Sequence, residues 1–399
     1  MKKIAYLTNT RFPTDKAHGL QICKTCEAFA ENNIKVLLFH PGRELSEIEK
    51  GKQDLLKYYG IKTGFKIRRL YNLDIFRIKN ILPEKIFPFF YVAHAFLWGL
   101  FAAAATRPEQ ASLYYTRDIT IAFWLVLLGL PTAFEGHTAP GRLQKRLLPF
   151  ISKKPVFKAL ILTSSFLSPL FEKCGISSGK IIISHHGFSP ELFKNLPDKE
   201  ACRKKLGLPA EKKIMGYIGR FRSVDTDKGV ADLIEMMPFL KTENNTGPLL
   251  LCVGGPLNAV PEYRKQAQKN SLPEEQILFI DHMPSPEVPF WIRSCDVVLL
   301  PLKPDFMKHI GTLPLKLFEY MAAEVPIVAT DLPSLREFLE HDKNAILVEP
   351  GNLPAMAKAV NRILNRIEIG KQLSAQAAKD IQQYTWKFKA GKILESLDL

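Results

Sequence analysis

Three cations and one acid in the second half of the sequence have the types and spacing of an anion site. The apolar run Ile214–Ile218 ends in Gly219-Arg220-Phe221, and after a short polar loop Lys228-Gly229-Val230 opens a helical pattern. An Arg at a strand end and a Lys at the next helix start both stand at the crevice end of a parallel sheet, so they can converge on one anion. Further along, Gly311-Thr312-Leu313-Pro314-Leu315-Lys316 leads into Leu317-Phe318-Glu319-Tyr320-Met321-Ala322-Ala323. A proline in a first turn marks a helix start, and the N–H groups near Pro314 and Leu315 are then open to a phosphate. Lys316 adds charge. Glu319, one turn on among apolar neighbours, is expected to point inward with a partner, where it could bond a hydroxylated part of the same ligand such as a ribose diol. The competing reading of Arg220, Lys228 and Glu319 is solvated surface charge.

Those residues need elements to hold them. Residues 1–187 alternate β-type apolar runs (Ile4–Thr8, Ile34–Phe39, Phe65–Leu70, Leu113–Thr116, Thr132–Glu135, Leu160–Thr163, Ile181–Ser184) with helical stretches. A second series follows at Ile214–Ile218, Leu249–Val253, Ile277–Ile280, Val297–Pro301, Ile327–Thr330 and Ala345–Val348. Such alternation means parallel sheets covered by helices, and 399 residues exceed what one core usually supports, so two doubly wound α/β domains are expected. A charged, Pro-containing stretch makes 188–212 an expected interdomain linker between 1–187 and 213–383.

Composition narrows the class. The chain is 46% hydrophobic and 24% charged, which excludes disorder, collagen and a multi-span membrane protein. Six cysteines are too few for a disulfide scaffold, and the apolar stretch after Met1-Lys2-Lys3 is too short for a signal-peptide core, so a reducing, cytoplasmic setting is expected. Cys23 and Cys26 form a CxxC on one helical face with Ile22, Phe29 and Ala30, an arrangement that suits core packing. The net charge is +15. Residues 1–200 hold 29 Lys and Arg against 16 Asp and Glu, whereas 201–399 hold 26 against 24. The first half is therefore the one to meet an acidic surface.

Within that half, Phe87 to Ala105 is nearly as long as a membrane span, but Pro88, His94 and Gly99 interrupt it and strands continue on both sides, so a buried helix is expected. The stretch before it mixes Arg68, Arg69, Arg77, Lys79 and Lys85 with Tyr71, Phe76, Phe87, Phe89 and Phe90. The stretch 142–158 repeats the mixture, with Lys145, Arg146, Lys153 and Lys154 beside Leu147, Leu148, Phe150 and Phe157. Basic residues beside large apolar ones suit an anionic lipid surface; a solvated basic face is the alternative.

Taken in order, several blocks resemble the family 4 glycosyltransferases (glycosyl transferases group 1). They are Arg11-Phe12-Pro13-Thr14-Asp15-Lys16-Ala17-His18-Gly19, Tyr115-Thr116-Arg117-Asp118, Glu135-Gly136-His137, His186-Gly187-Phe188, Gly219-Arg220-Phe221 with Lys228-Gly229, and Glu319. The resemblance runs almost end to end. It implies the GT-B fold, two doubly wound Rossmann-like domains facing across a cleft, with a C-terminal helix at about 384–399 packing back on the first domain. It further implies a retaining transferase that moves a sugar from a nucleotide-diphosphate sugar to a hydroxyl acceptor. By resemblance Arg220 and Lys228 clamp the diphosphate and act in catalysis with His137, while Gly19, Pro314, Leu315, Lys316 and Glu319 complete the donor site.

No cofactor is implied beyond the nucleotide sugar as co-substrate. Asp225-Thr226-Asp227 is a DxD, the metal pair of the other large glycosyltransferase fold, but it lies in a polar loop between two cations, and no metal is expected. The expected acceptor is a lipid-linked or cell-envelope glycan. The expected partner is an anionic membrane surface and not nucleic acid, with a cytoplasmic location peripheral to the inner face of the cell membrane. The sequence also departs from the family: Gly311 stands where a first glutamate is common, Glu324 where a Gly usually follows the helix, and Asp281 where a Gly often follows the third strand. Two rivals remain at this level. One is a GT-B enzyme that epimerises or hydrolyses a nucleotide sugar, and the other is a basic membrane- or nucleic-acid-binding protein without catalysis. A nicotinamide oxidoreductase is disfavoured because neither half has GxGxxG after its first strand.

Overall fold

Continuous apolar runs become parallel strands largely buried on both faces, as β-rich runs alternating with helices must when helices cover the sheet, while the edge strand Lys66–Leu70, which carries two arginines, stays largely exposed. In the computed structural model the described residues are all except 15, 43–54, 72–82, 84, 224–225, 241–246 and 304–312. The chain divides into two units, Met1–His185 with Trp386–Leu399, and His186–Thr385.

The first unit has seven strands: β1 (Lys3–Leu7), β2 (Lys35–Pro41), β3 (Lys66–Leu70), β4 (Leu113–Thr116), β5 (Thr132–Gly136), β6 (Phe157–Leu162) and β7 (Ile181–Ile183). They lie in the order β3-β2-β1-β4-β5-β6-β7, all parallel. Among the described residues the main sheet of the second unit has six, β8 (Ile214–Ile218), β9 (Leu249–Val253), β10 (Ile277–Ile280), β11 (Val297–Leu300), β12 (Ile327–Thr330) and β13 (Ile346–Val348), beside a two-stranded antiparallel ribbon of Arg222–Ser223 and Thr226–Asp227. Their order is β10-β9-β8-β11-β12-β13, again parallel. In both sheets the winding reverses beside the first strand of the unit, and ligands bind α/β sheets at the carboxyl ends of such strands.

Stretch 188–212, expected as a linker, belongs to the second unit. Its helix α5 (Lys199–Leu206) carries Arg203, 4% exposed. The guanidinium donates to the carbonyls of Ser294 (2.9 Å) and Ala210 (2.7 Å) and pairs with Asp296 at 2.7 Å. Asp296 also accepts from the Ile214 N–H at 2.7 Å and pairs with Lys199 at 2.8 Å. Burial opposes the Asp296 charge, but Lys199, the Ile214 amide and Arg203 overcome it and hold the carboxyl below its usual range. This cluster pins the stretch to the start of the central strand β8.

The long apolar helix α2 (Phe87–Thr106) departs from the expected buried helix. Its second half is packed through Ala95, Trp98, Gly99, Ala102 and Ala103, and a side chain at Gly99 would come within 3.0 Å of the Thr120 carbonyl. That close approach seats α2 on helix α3 (Ile119–Leu127). In the first half Phe89, Phe90, Tyr91 and Val92 are exposed. With the turn that follows it, α2 is the one helix among the described residues long and apolar enough to cross a membrane.

The terminal helix α10 (Trp386–Ser396) lies in the first unit, where it packs on α1 (Ala17–Glu31). The remaining helices used below are α4 (Arg142–Ile151), α6 (Val230–Met236), α7 (Leu315–Ala322), α8 (Leu353–Asn365) and α9 (Ile367–Ile381). The α5 anchor gives a direct test. Arg203→Leu leaves Asp296 buried beside one lysine and should cost about 3–5 kcal/mol in urea unfolding; a loss under 1 kcal/mol would remove the anchor from this account.

Candidate functional site

At the carboxyl end of β8 the sheet splits. β8 stays paired with β9 over five residues, but its register with β11 covers only Val297↔Met215 and Val298↔Gly216. The peptide of Ile218 would be left without a partner on that side. Tyr320 of α7 fills the gap: its hydroxyl accepts from the Ile218 N–H at 2.8 Å and donates to the Ile218 carbonyl at 3.1 Å. Tyr320 is fully buried, so the tie is shielded from water. It fixes α7 against the strand end and so sets where Lys316 and Glu319 stand.

Lys316 crosses directly over Gly219. An added side chain at Gly219 would lie 2.5 Å from the lysine Nζ, and Gly219 holds φ +147°, so only glycine admits both the turn and the overlying lysine. The ammonium sits 3.6 Å from the centre of the Tyr217 ring. The Tyr217 hydroxyl in turn donates to the Arg220 carbonyl at 2.9 Å. Lys228 follows at the mouth of α6, its N–H donating to the Phe221 carbonyl at 2.9 Å. Gly229, at φ +100°, caps α6 and approaches the Pro301 carbonyl too closely for any side chain.

Burial, then the proximity of Lys228, holds the Lys316 ammonium well below its usual range, and Glu319 only partly offsets this. Burial and then Arg220 lower Lys228. Burial raises the Glu319 carboxyl to about 7, against the pull of Lys316. Cations that resist their own charge because other cations are near are poised for an anion. Arg220, Lys228, Lys316 and Glu319 thus lie in one cluster.

Pro314 needs a correction. It is the residue before the helix, at φ −74° and ψ 133°, and a proline has no N–H to give. The Leu317 N–H is taken by the Pro314 carbonyl at 3.1 Å, so the amides open to a ligand are those of Leu315 and Lys316. The DxD is partly outside the described residues, since Asp225 is not among them; so is Gly311. Asp227 is engaged at both oxygens: one accepts from the Gly229 N–H at 2.7 Å, the other from the Tyr263 hydroxyl at 2.5 Å. It therefore works as a cap of α6. Glu324 does keep the left-handed conformation, φ +52°, and pairs with Arg293 at 3.4 Å. Asp281 packs against Gly255, where a side chain would collide with its carboxylate.

In the first unit, Gly19 starts α1, and the space of its missing side chain is filled by the Tyr59 hydroxyl and Thr14. Close packing within the chain thus accounts for glycine there. Cys23 and Cys26 are fully buried, and burial pushes both thiols well up, as core residues. His137 follows β5, with Nε2 3.5 Å from Glu135 and Nδ1 3.5 Å from the Gln21 amide nitrogen. Burial, then Arg117, lowers the imidazole to about 4 despite Glu135. Glu135 is paired with Lys389 of α10; both are buried. Burial alone would raise the Glu135 carboxyl, but Lys389, then His137 and Arg117, hold it well below its usual range.

Sequence reasoning missed Tyr217, Tyr320, Gln21 and Lys389. Only Lys389 left a signal: it stands on the same helical face as Trp386, Ala390, Ile393 and Leu394, an apolar stripe that a solvated lysine would not join.

Comparison with known proteins follows this geometry. Residues 212–366 match the family model for glycosyl transferases group 1. A D-inositol 3-phosphate glycosyltransferase of Thermobispora bispora is 22% identical over 219 residues, 54% of this chain and 50% of that protein. The chain spans about half the length of the curated relatives it matches first. Among solved structures, Anabaena HepE in complex with UDP-glucose superposes with a TM-score of 0.73 at 17% identity, over 100% of each chain. WaaG, a glycosyltransferase involved in lipopolysaccharide biosynthesis, superposes with 0.66 at 11% identity, over 99% of each.

Two outcomes test the cluster. Tyr320→Phe strands the Ile218 amide and should cost about 1–3 kcal/mol in urea unfolding. Glu319→Gln should stabilise the unliganded protein. The native carboxyl holds its proton up to about 7 while the unfolded one ionises near 4.5, so wild type loses stability as pH rises between those values. The gain in melting temperature of the Gln variant should be absent near pH 4 and complete above pH 7; a gain independent of pH would contradict the assignment. Residues 212–366 thus match the family model for glycosyl transferases group 1, on a chain whose whole length has the GT-B fold.

Proposed function

We propose that the protein is a retaining glycosyltransferase that moves a sugar from a nucleoside diphosphate to a hydroxyl acceptor. The observation that carries this is the cluster of Arg220, Lys228 and Lys316 at the end of β8, in which burial and then neighbouring cations hold both lysine ammoniums down, with Glu319 one turn behind. The diphosphate supplies the negative charge the lysines lack, and the ribose hydroxyls donate to Glu319 once it ionises. The solved complex of HepE with UDP-glucose on the same fold supports a nucleotide-sugar donor.

The barrier to transfer is charge separation. As the bond from the anomeric carbon to the diphosphate oxygen breaks, the sugar becomes oxocarbenium-like and negative charge grows on the leaving group. Arg220, Lys228, Lys316 and the Leu315 and Lys316 amides stabilise that charge, each preorganised donor being worth roughly 2–4 kcal/mol. The acceptor oxygen bonds to the anomeric carbon from the face the diphosphate leaves, which retains configuration, and its proton passes to the leaving phosphate. His137, lowered to about 4, is a poor base at neutral pH, which fits a role in contacting and orienting substrate while the phosphate takes the proton. The lysines and arginine take the place of a divalent ion, and Asp227 is committed to its cap, so we propose turnover without metal.

We further propose a lipid-linked or envelope-glycan acceptor met at an anionic membrane on the cytoplasmic side. WaaG, of the same fold, acts in lipopolysaccharide biosynthesis. In the first unit the exposed Phe89, Phe90, Leu97 and Phe101 of α2 lead through Phe96, Phe123 and Phe150, at ring separations of 5.8 and 6.4 Å, to α4. There Lys145, Arg146, Lys153 and Lys154 are exposed, a mixture suited to anionic lipid. Arg68 and Arg69 serve this less well, since Arg68 pairs with Glu109 and Arg69 donates to the Gly42 carbonyl.

Thermal-shift titration with UDP, GDP and ADP in chelator tests the donor site. One of them should raise the melting temperature, and Arg220→Ala or Lys228→Met should abolish the rise while the protein stays folded. No rise with any, or a rise only when manganese is added, contradicts the proposal. Neutralising Lys145, Arg146, Lys153 and Lys154 together should weaken binding to phosphatidylglycerol vesicles at least tenfold, at about 1 kcal/mol per charge; unchanged binding removes the membrane from the account.

A further inference from the structure

Lys389 is a buried lysine that neither the donor site nor the family match uses. Its ammonium, 3% exposed, is paired with Glu135, 2% exposed, inside the first unit. Its helix α10 packs on α1, which supplies Gln21, and its carbonyl accepts from the Ser184 hydroxyl at 3.2 Å. The terminal segment is therefore built into the floor beneath His137.

The contacts of Arg117, Gln21 and Glu135 with one another and with His137 point to one tautomer. Arg117 can only donate, and its NH1 lies 2.7 Å from the Gln21 oxygen. That fixes the Gln21 amide, so its NH2 is the group 3.5 Å from His137 Nδ1. An NH2 only donates, so Nδ1 is the acceptor and the ring proton is on Nε2, which faces the Glu135 carboxylate at 3.5 Å. Other titratable groups near Glu135 are Tyr6, Tyr115, Cys23 and Cys26, all pushed up by burial and neutral. Among the described residues, the charged groups acting on His137 include Arg117, Glu135 and Lys389. Of these Glu135 favours an imidazolium. Lys389 neutralises it.

We propose that Lys389 of the terminal helix is a positioning residue for His137: through Glu135 it keeps the imidazole neutral, with its proton on Nε2 and its Nδ1 lone pair turned to Gln21. Without Lys389, buried Glu135 draws a proton onto the ring, and the neutral orienting group becomes a cation. The functional meaning rests on the reading of His137 as part of the transfer site; the network itself does not.

Long-range proton–nitrogen NMR of the full-length protein with labelled histidine tests this, His137 being assigned with His137→Asn. Wild type should show the Nε2–H tautomer with no titration down to pH 5. Lys389→Met should show the imidazolium pattern, with the midpoint raised by at least one pH unit. Glu135→Gln/Lys389→Met, which leaves no buried charge in the pair, should return the ring to its neutral state, and Lys389→Arg should titrate as wild type. A packing role for Lys389 would lower stability without moving the midpoint. An unchanged midpoint in Lys389→Met, or an Nδ1–H tautomer in wild type, overturns the proposal; should Lys389→Met not fold, the wild-type tautomer and the Lys389→Arg titration still decide. Because the spectra are of unliganded protein, absent sugar transfer with these spectra as expected would remove the transferase reading alone.

Discussion

The site in the second unit depends on one buried hydroxyl. Where β11 turns away from β8, the Ile218 peptide has no strand partner, and a buried N–H and C=O without partners would cost several kcal/mol. Tyr320 satisfies both from α7. A requirement of backbone hydrogen bonding thereby becomes a device of placement. The same contact that closes the core brings a helix start, with Lys316 and Glu319, to the end of the strand that carries Arg220. The glycines then follow from geometry: Gly219 gives way to Lys316, and Gly229 to the carbonyl of Pro301.

Placement so tight has an electrostatic cost that the unliganded protein carries. Lys228 and Lys316 are both lowered, and Glu319 is raised to about 7, because each is taken from water without enough opposite charge. The first unit solves the same problem differently. There Glu135, His137 and Arg117 are also withdrawn from water, but Lys389 completes the set from within the chain. In the first unit the buried carboxylate of Glu135 is met by Lys389 from within the chain; in the second, burial and neighbouring cations hold Lys228 and Lys316 down.

Much of this was legible in the sequence, for a physical reason. Strands buried on both faces must be continuous apolar runs, and Leu113–Thr116, Ile214–Ile218, Leu249–Val253, Ile277–Ile280 and Ile327–Thr330 have the expected bounds. Arg220, Lys228 and Glu319 could be grouped because each sits at a strand end or helix start, places that a βα pattern marks. What stayed hidden depended on what touches what. Gly19 signalled a close approach but not that Tyr59 makes it. The apolarity of α2 did not say which half is covered. Residues 188–212 looked like a linker because the partner of Arg203, Asp296, is 93 positions away. Lys389 and Glu135 are separated by 254 positions, so only the folded chain joins them.

The central claim is that the cluster at the end of β8 is a diphosphate site short of negative charge, and calorimetry at pH 8.5 in buffers of different ionisation enthalpy tests it most directly. Glu319, at about 7, is already ionised there, so any proton exchanged on binding reports the lysines. With chelator present, binding of the nucleoside diphosphate should favour the charged forms of Lys228 and Lys316, both lowered in the free protein, and so be accompanied by proton uptake that grows as the pH is raised from 8.5. Binding with no proton uptake, or with proton release, would contradict the account.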